Sequence, residues 1–221
     1  MSAPARDARE RPIRLYGWAG SGSAAVEAAL AMCGLRFRRI DAATWKPASA
    51  LAALGRANAL RQIPTLVMPD GAVLTESAAI LIHLGLEHPT SGLLPAAPAA
   101  RAQAVRGLVF IAANCYAAIG VLDYPERWTR GRAAAERERL RKGARTRLHG
   151  CREVFADSFP PAGAFLAGDA PGALDLLASV VSRWSGARAY LRAQRPAFAE
   201  LLERIDAHPP LARVFRRHWP G

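Results

Sequence analysis

Three cysteines, Cys33, Cys115 and Cys151, are the only thiols in this 221-residue chain. They form no CxxC pair, and so odd and scattered a set excludes a disulfide framework. Their spacing sets each on an apolar helix face, which predicts buried, reduced thiols in a cytoplasmic protein. Long apolar runs are also missing. None approaches the roughly 20 residues of a bilayer span, so no membrane partner is expected. The opening string MSAPARDARERP is charged and lacks the apolar centre of a secretory signal, and residues 1–12 read as a disordered tail. No HExxH occurs, and His83 and His88 stand five apart, off one another's helix face, so no metal site is expected. The phosphate-cradling string G-x-x-x-x-G-K-[ST] is missing too. Acidic residues are scarce, with 18 Asp and Glu against 30 Lys and Arg, a net charge of +12. That balance favours anionic partners and admits nucleic-acid binding as one alternative. The arginines are spread over nearly the whole chain, however, as on a solvated surface. Arg137, Arg141 and Arg145 recur at i+4, and Glu138 and Lys142 are expected to pair on the neighbouring row.

What is there is a strongly apolar chain, 51% hydrophobic, long enough for two small cores. Ile13 to Gly17 alternates and reads as a strand. A small-residue loop, Trp18 to Ser23, follows. Val26, Ala29, Leu30 and Cys33 then fall on one helical stripe that Gly34 ends. Leu35 to Asp41 is a weaker strand, and residues 44 to 61 are helical by composition. Ile63 to Met68 and Ala72 to Leu74 are strands around the turn Pro69-Asp70-Gly71, too close for anything but an antiparallel hairpin. Thr75-Glu76-Ser77 opens a helix that stops before Pro89. The order is β-α-β-α-β-β-α. A linker is placed over 90–99, and the remainder reads as helix. One stripe there runs through Val105, Leu108, Val109, Ala112, Tyr116 and Ile119. Another runs through Leu140, Ala144, Leu148, Cys151 and Phe155, and a later helix spans about 173 to 185. Trp45, Trp128, Trp184 and Trp219 read as core or domain-interface residues.

Two motifs compete for the loop at 20–23. Gly20-x-Gly22-x-x-Ala25 after a strand, with Asp41 about 20 residues on, matches a dinucleotide fingerprint. The short hairpin and the all-helical remainder argue against it, because a doubly wound sheet needs more parallel units. The alternative is an anion site. A helix N-terminus offers unpaired N–H groups and partial positive charge, and a seryl hydroxyl beside it can donate to a thiolate.

Gln62-Ile63-Pro64-Thr65-Leu66 followed by Leu74-Thr75-Glu76-Ser77 resembles the glutathione-binding half of the bacterial glutathione transferases, of the theta- or beta-like soluble type. The resemblance runs over about residues 13 to 219. It includes Phe110 to Tyr116 with Asp123 to Trp128, similar to the first long helix and its exit. It also includes Gly168 to Asp175, similar to the family's folding motif, with Gly172 where a Ser or Thr cap is usual. It implies a thioredoxin-like α/β domain with a mixed four-stranded sheet over 13–89, and an all-helical bundle over 100–221. It further implies that Ile63-Pro64 is cis and that Gln62, Ile63, Pro64, Glu76 and Ser77 hold glutathione as cosubstrate. Gly22 stands where the beta-type pattern has cysteine, which leaves Ser21, then Ser23, as thiolate-stabilising donors. Asn114, Tyr116 and Tyr124 are candidates for the pocket of a small electrophile. A cytoplasmic homodimer that conjugates glutathione or reduces peroxides is the implied whole. The alternatives are a non-catalytic glutathione-binding or protein-interaction module on the same fold, and a nucleic-acid binder using the basic helix surface.

Overall fold

The computed structural model describes residues 11–131 and 133–220, so the expected tail lies almost wholly outside the described residues. Two compact units result, one of residues up to Ala96 together with Asp206 onward, the other Ala97–Ile205. The sequence reading keeps everything from 100 to 221 in one helical domain. The structure instead returns the last helix to the first unit.

In that first unit the order β-α-β-α-β-β-α holds. It comprises β1 (Ile13–Gly17), α1 (Ser23–Met32), β2 (Phe37–Asp41), α2 (Leu51–Ala57), β3 (Thr65–Val67), β4 (Val73–Thr75) and α3 (Ser77–Glu87). The sheet order is β2-β1-β3-β4. β1 runs parallel to β2 and antiparallel to β3, and β4 pairs antiparallel with β3. This is the mixed four-stranded thioredoxin-like sheet. Only Leu51–Ala57 of the stretch 44–61 is helical. Before it, the Ser49 hydroxyl donates to the Lys46 carbonyl (2.6 Å) and accepts the Ala43 N–H (3.0 Å), closing a turn. A seryl hydroxyl that serves local backbone groups in this way competes with helix.

α1 is buried from Ser23 to Leu30, including the charged Glu27. An amphipathic helix hides one stripe. This one is covered all round, because the last helix, α10 (Pro209–His218), also packs on it.

The second unit contains α4 (Pro98–Phe110), a π-helical turn Ile111–Tyr116 and α5 (Ala117–Asp123). It continues with α6 (Ala134–Ser158), α7 (Ala173–Val181), α8 (Ala187–Gln194) and most of α9 (Pro196–Ala207). The π turn shifts the helix phase, because each of its hydrogen bonds spans one residue more than an α bond. The expected stripe therefore breaks. Val109 is 51% exposed, while Ala104, Leu108, Ile111, Cys115, Ala118 and Leu122 form the buried face. Pro98–Asp123 is long and apolar enough to cross a membrane by length and composition, with a mean hydropathy of 1.8 over its best window. The sequence reading sought an uninterrupted run and missed this one, which is built largely of alanine and broken by Arg101 and Arg106. In the structure its buried side packs on α6 and α7. Asp175, fully buried in the first turn of α7, accepts the N–H groups of Leu166 (2.8 Å), Ala167 (3.1 Å) and Gly172 (2.9 Å). The Gly172 bond is the half of a capping box that runs from the N3 side chain back to the N-cap backbone, while Gly172 supplies no side-chain cap.

Of the cysteines only Cys115 is buried, and burial pushes its thiol up to about 12; Cys33 and Cys151 are half-buried, against expectation. All three are free. Trp45 and Trp128 are exposed rather than core. Glu138 pairs with Arg141 (3.6 Å), not with the expected Lys142.

Candidate functional site

The strand register decides where the candidate residues meet. Tyr16 pairs with Thr65, and Thr65 pairs with Thr75. The end of β1, the start of β3 and the end of β4 therefore share one end of the sheet. From that end leave the loop Trp18–Ser23, the Gln62–Pro64 segment and Glu76–Ser77, three pieces distant in sequence.

The first piece is held from within. The Ser21 hydroxyl donates to the Trp18 carbonyl (2.7 Å) and lies 2.9 Å from the Ser23 hydroxyl, which reaches the same carbonyl at 3.3 Å. Ser21 is 7% exposed and Ser23 is fully buried. Both expected thiolate donors thus point into the turn. The N–H of Gly22, at the N-cap of α1, has no hydrogen-bond partner among the described residues. It is the group that a helix start offers to an anion. Gly20, in the left-handed region at φ 76°, donates its N–H to Nδ1 of His218 (3.2 Å). The Nε2 of the same ring lies 2.8 Å from the Glu27 carboxylate. Arg39 and Arg217 also reach Glu27, each at 3.4 Å. Burial pushes the Glu27 carboxyl up, but His218, Arg39 and Arg217 outweigh it and hold it below the ordinary carboxylate value.

The second piece carries a cis Ile63-Pro64 peptide, as the resemblance implies. Its shape is set by Asn58, whose amide donates to the Gln62 carbonyl (3.2 Å) and to Thr65 Oγ1 (3.1 Å); Thr65 Oγ1 donates to that same carbonyl at 2.8 Å. Gln62 contributes this backbone oxygen, and its side chain is exposed. The Ile63 side chain packs on Tyr16, Leu54 and Val67. Neither the N–H nor the C=O of Ile63 has a partner among the described residues. A free donor and acceptor on one residue just before a strand suit an extended peptide backbone.

In the third piece Glu76 caps α3 at φ 66°, ψ 112°, a conformation costly for a residue with a Cβ. Its exposed carboxylate enters no hydrogen bond or ion pair among the described residues. Ser77, 6% exposed, is the first residue of the helix. An acceptor for an ammonium thus sits next to helix N–H groups that donate to a carboxylate, and these are the two ends of an α-amino acid.

Four matches bear on this geometry. Residues 23–86 match the family model of the glutathione S-transferase N-terminal domain. That segment, from α1 to the end of α3, is similar in sequence to the N-terminal domain of the glutathione S-transferases. Over 117 residues the chain is 32% identical to the uncharacterized GST-like protein YncG of Escherichia coli K12. That match covers 52% of this chain and 57% of YncG, so the chain spans just over half the length of this curated relative. A glutathione transferase homologue from Sulfitobacter, solved with bound glutathione, superposes with a TM-score of 0.80 at 21% identity, covering 92% of this chain and 96% of the other. A glutathione S-transferase from Methylobacterium radiotolerans, in complex with glutathione sulfonate, gives 0.69 at 29% identity, covering 93% and 95%.

Within this glutathione S-transferase fold the helical unit scatters the three electrophile-pocket candidates. Asn114 donates to the Phe110 carbonyl one turn back (3.1 Å) and lines a groove of about 580 Å³ with Thr146, Arg147, Cys151 and Val154. Tyr116 stands edge-on to Trp184, ring centroids 5.9 Å apart. Tyr124 lies under the Arg127 guanidinium at 4.0 Å. Among the described residues no cluster of His, Cys, Asp and Glu is arranged to hold a metal. Sequence reading missed Asn58, Glu27 and His218. A lone buried-type Glu amid Val26, Ala28 and Ala29 was the one signal available for Glu27.

Proposed function

We propose that this chain is a glutathione transferase. The observation that carries the reading is the convergence, at one end of the sheet, of the Gly22 N–H, the Ile63 peptide groups and the Glu76–Ser77 helix start. Glutathione fits them in order. Its γ-glutamyl end meets Glu76 and the α3 N-terminus, its peptide pairs with Ile63, and its sulfur comes to the start of α1. There the Gly22 N–H and the partial charge of the helix favour the thiolate, with Ser21 as the first hydroxyl donor and Ser23 behind it. The thiolate sulfur bonds to an electrophilic carbon, and the leaving group departs with its electron pair. Peroxide reduction is the variant chemistry. A cytoplasmic homodimer belongs to the same proposal, and light scattering tests the dimer, with the mass of two chains as the expected result.

Calorimetry tests the binding half. Glutathione should bind the wild type, and Glu76→Ala and Ser77→Ala should each weaken it by about 1–3 kcal/mol, the cost of a lost hydrogen bond to a charged group. Unchanged affinity in both variants places the amino-acid end elsewhere.

A second reading, glutathione binding without turnover, draws on one observation. Both loop hydroxyls are already spent on the Trp18 carbonyl. Conjugation assays with chloronitrobenzene-type electrophiles separate the two.

A further inference from the structure

The last helix reaches back across nearly the whole chain to the loop that the proposed function uses. His218 is 3% exposed and bonded on both ring nitrogens, to residues 198 and 191 positions earlier. The bonding fixes the proton. A carboxylate only accepts, so Nε2 carries the hydrogen given to Glu27, and the Gly20 N–H only donates, so Nδ1 carries a lone pair. Glu27 is in turn fixed from two sides by Arg39 and Arg217, and Arg39 is itself held by Asp41 (2.9 Å). The indole nitrogen of Trp219 lies 3.6 Å from where a Cβ on Gly20 would stand, so the end of α10 covers this part of the loop.

We propose that His218 is a positioning residue of the glutathione site, holding Gly20 so that the loop presents the Gly22 N–H to the sulfur. The idea rests on the glutathione transferase reading. Its physical basis is that Gly20 is free to adopt many conformations, and left-handed glycine keeps one only when something outside the loop holds it. The Glu27–His218 pair supplies that hold from two different helices. The role of His218 is to fix where the thiol-activating groups stand, without touching the substrate.

The two bonds can be broken one at a time in the full-length protein. Asparagine places its oxygen near the Nδ1 position and so retains an acceptor for Gly20. Glutamine places its amide near Nε2 and so retains the donor to Glu27 but offers Gly20 nothing. The readouts are kcat and KM for glutathione with a fixed electrophile, and hydrogen exchange of the Gly20 amide. His218→Gln and His218→Ala should lower kcat about tenfold or more, change KM for glutathione by less than about threefold, and speed Gly20 exchange at least tenfold. His218→Asn should recover most of kcat and of the Gly20 protection, even where it is the less stable protein. A Gln variant with wild-type kcat and Gly20 protection overturns the proposal. So do Asn and Gln variants that fall equally and in step with thermal stability, since that marks a purely structural histidine. Failure of the underlying reading looks different: the wild type itself then neither binds nor turns over glutathione, and this proposal goes with it.

Discussion

Gly17 and Ser23 are packed to the limit, since a Cβ on Gly17 would stand 2.5 Å from both the Cβ and the Oγ of Ser23. The end of β1 and the first turn of α1 can approach this closely only because residue 17 has no side chain. Ser23 cannot swing aside, being fully buried and anchored in α1. Gly17→Ala should therefore cost about 1–3 kcal/mol of overpacking and distort the loop between them. Urea unfolding and conjugation rate should both fall. A variant as stable and active as wild type would falsify the tight contact.

The two serines should separate by measurement. Ser21→Ala is expected to raise the pKa of bound glutathione and slow turnover about tenfold to a hundredfold, equal to about 1.4–2.8 kcal/mol of thiolate stabilisation. Ser23→Ala should slow it less and cost about 1 kcal/mol of fold stability, because its buried hydroxyl serves Ser21 and the Trp18 carbonyl. Ultraviolet titration of the thiolate with pH–rate profiles decides this. The larger kinetic loss in Ser23→Ala exchanges the roles.

Asp175 should be among the most sensitive positions for stability. Removing its carboxylate strands the buried N–H groups of Leu166 and Gly172 and the half-buried one of Ala167, at about 1–3 kcal/mol for each group cut off from water. Asp175→Ala is thus expected to lose at least about 2 kcal/mol in chemical denaturation. Burial holds this carboxyl up at about 6. A raised acid gives stability that is complete below its unfolded value and is lost as pH rises through about 6. Asp175→Asn should remove that slope, and an unchanged profile between pH 4 and 7 contradicts the assignment.

Glu27 has the opposite sign. Its carboxyl is held low in the folded protein by His218, Arg39 and Arg217, against the effect of burial. It therefore contributes stability that is present above the ordinary carboxylate value of about 4.5, and that is lost as pH falls through the lowered folded value. Glu27→Gln should be less stable at neutral pH, and its stability difference from wild type should shrink as the solution is acidified below the ordinary carboxylate value. Thermal midpoints across pH 3–7 measure it. A difference that stays constant across that range rules out the ion cluster as the source.

The sequence carries those parts of this protein that short-range chemistry writes. The hairpin was legible because Pro69-Asp70-Gly71 admits little but a turn, and α3 because Glu76-Ser77 opens an apolar helix. Ile63-Pro64 and Glu76-Ser77 stand out as site residues through the family resemblance, not through local pattern. Their meeting could not be read, since it depends on the register Tyr16–Thr65–Thr75. The stripe through Val109 and Ala112 failed because a π turn changes the period within a helix, and one residue of phase moves Val109 to solvent. Most of all, the return of α10 to α1 was hidden. Glu27 and His218 are 191 positions apart, and neither residue alters the local pattern around it. Periodicity and turn chemistry record what a residue does with its near neighbours, and they fixed the β-α-β-α-β-β-α order. Which buried carboxylate meets which histidine is settled only when helices from the two ends of the chain pack together, and tertiary structure alone decided it.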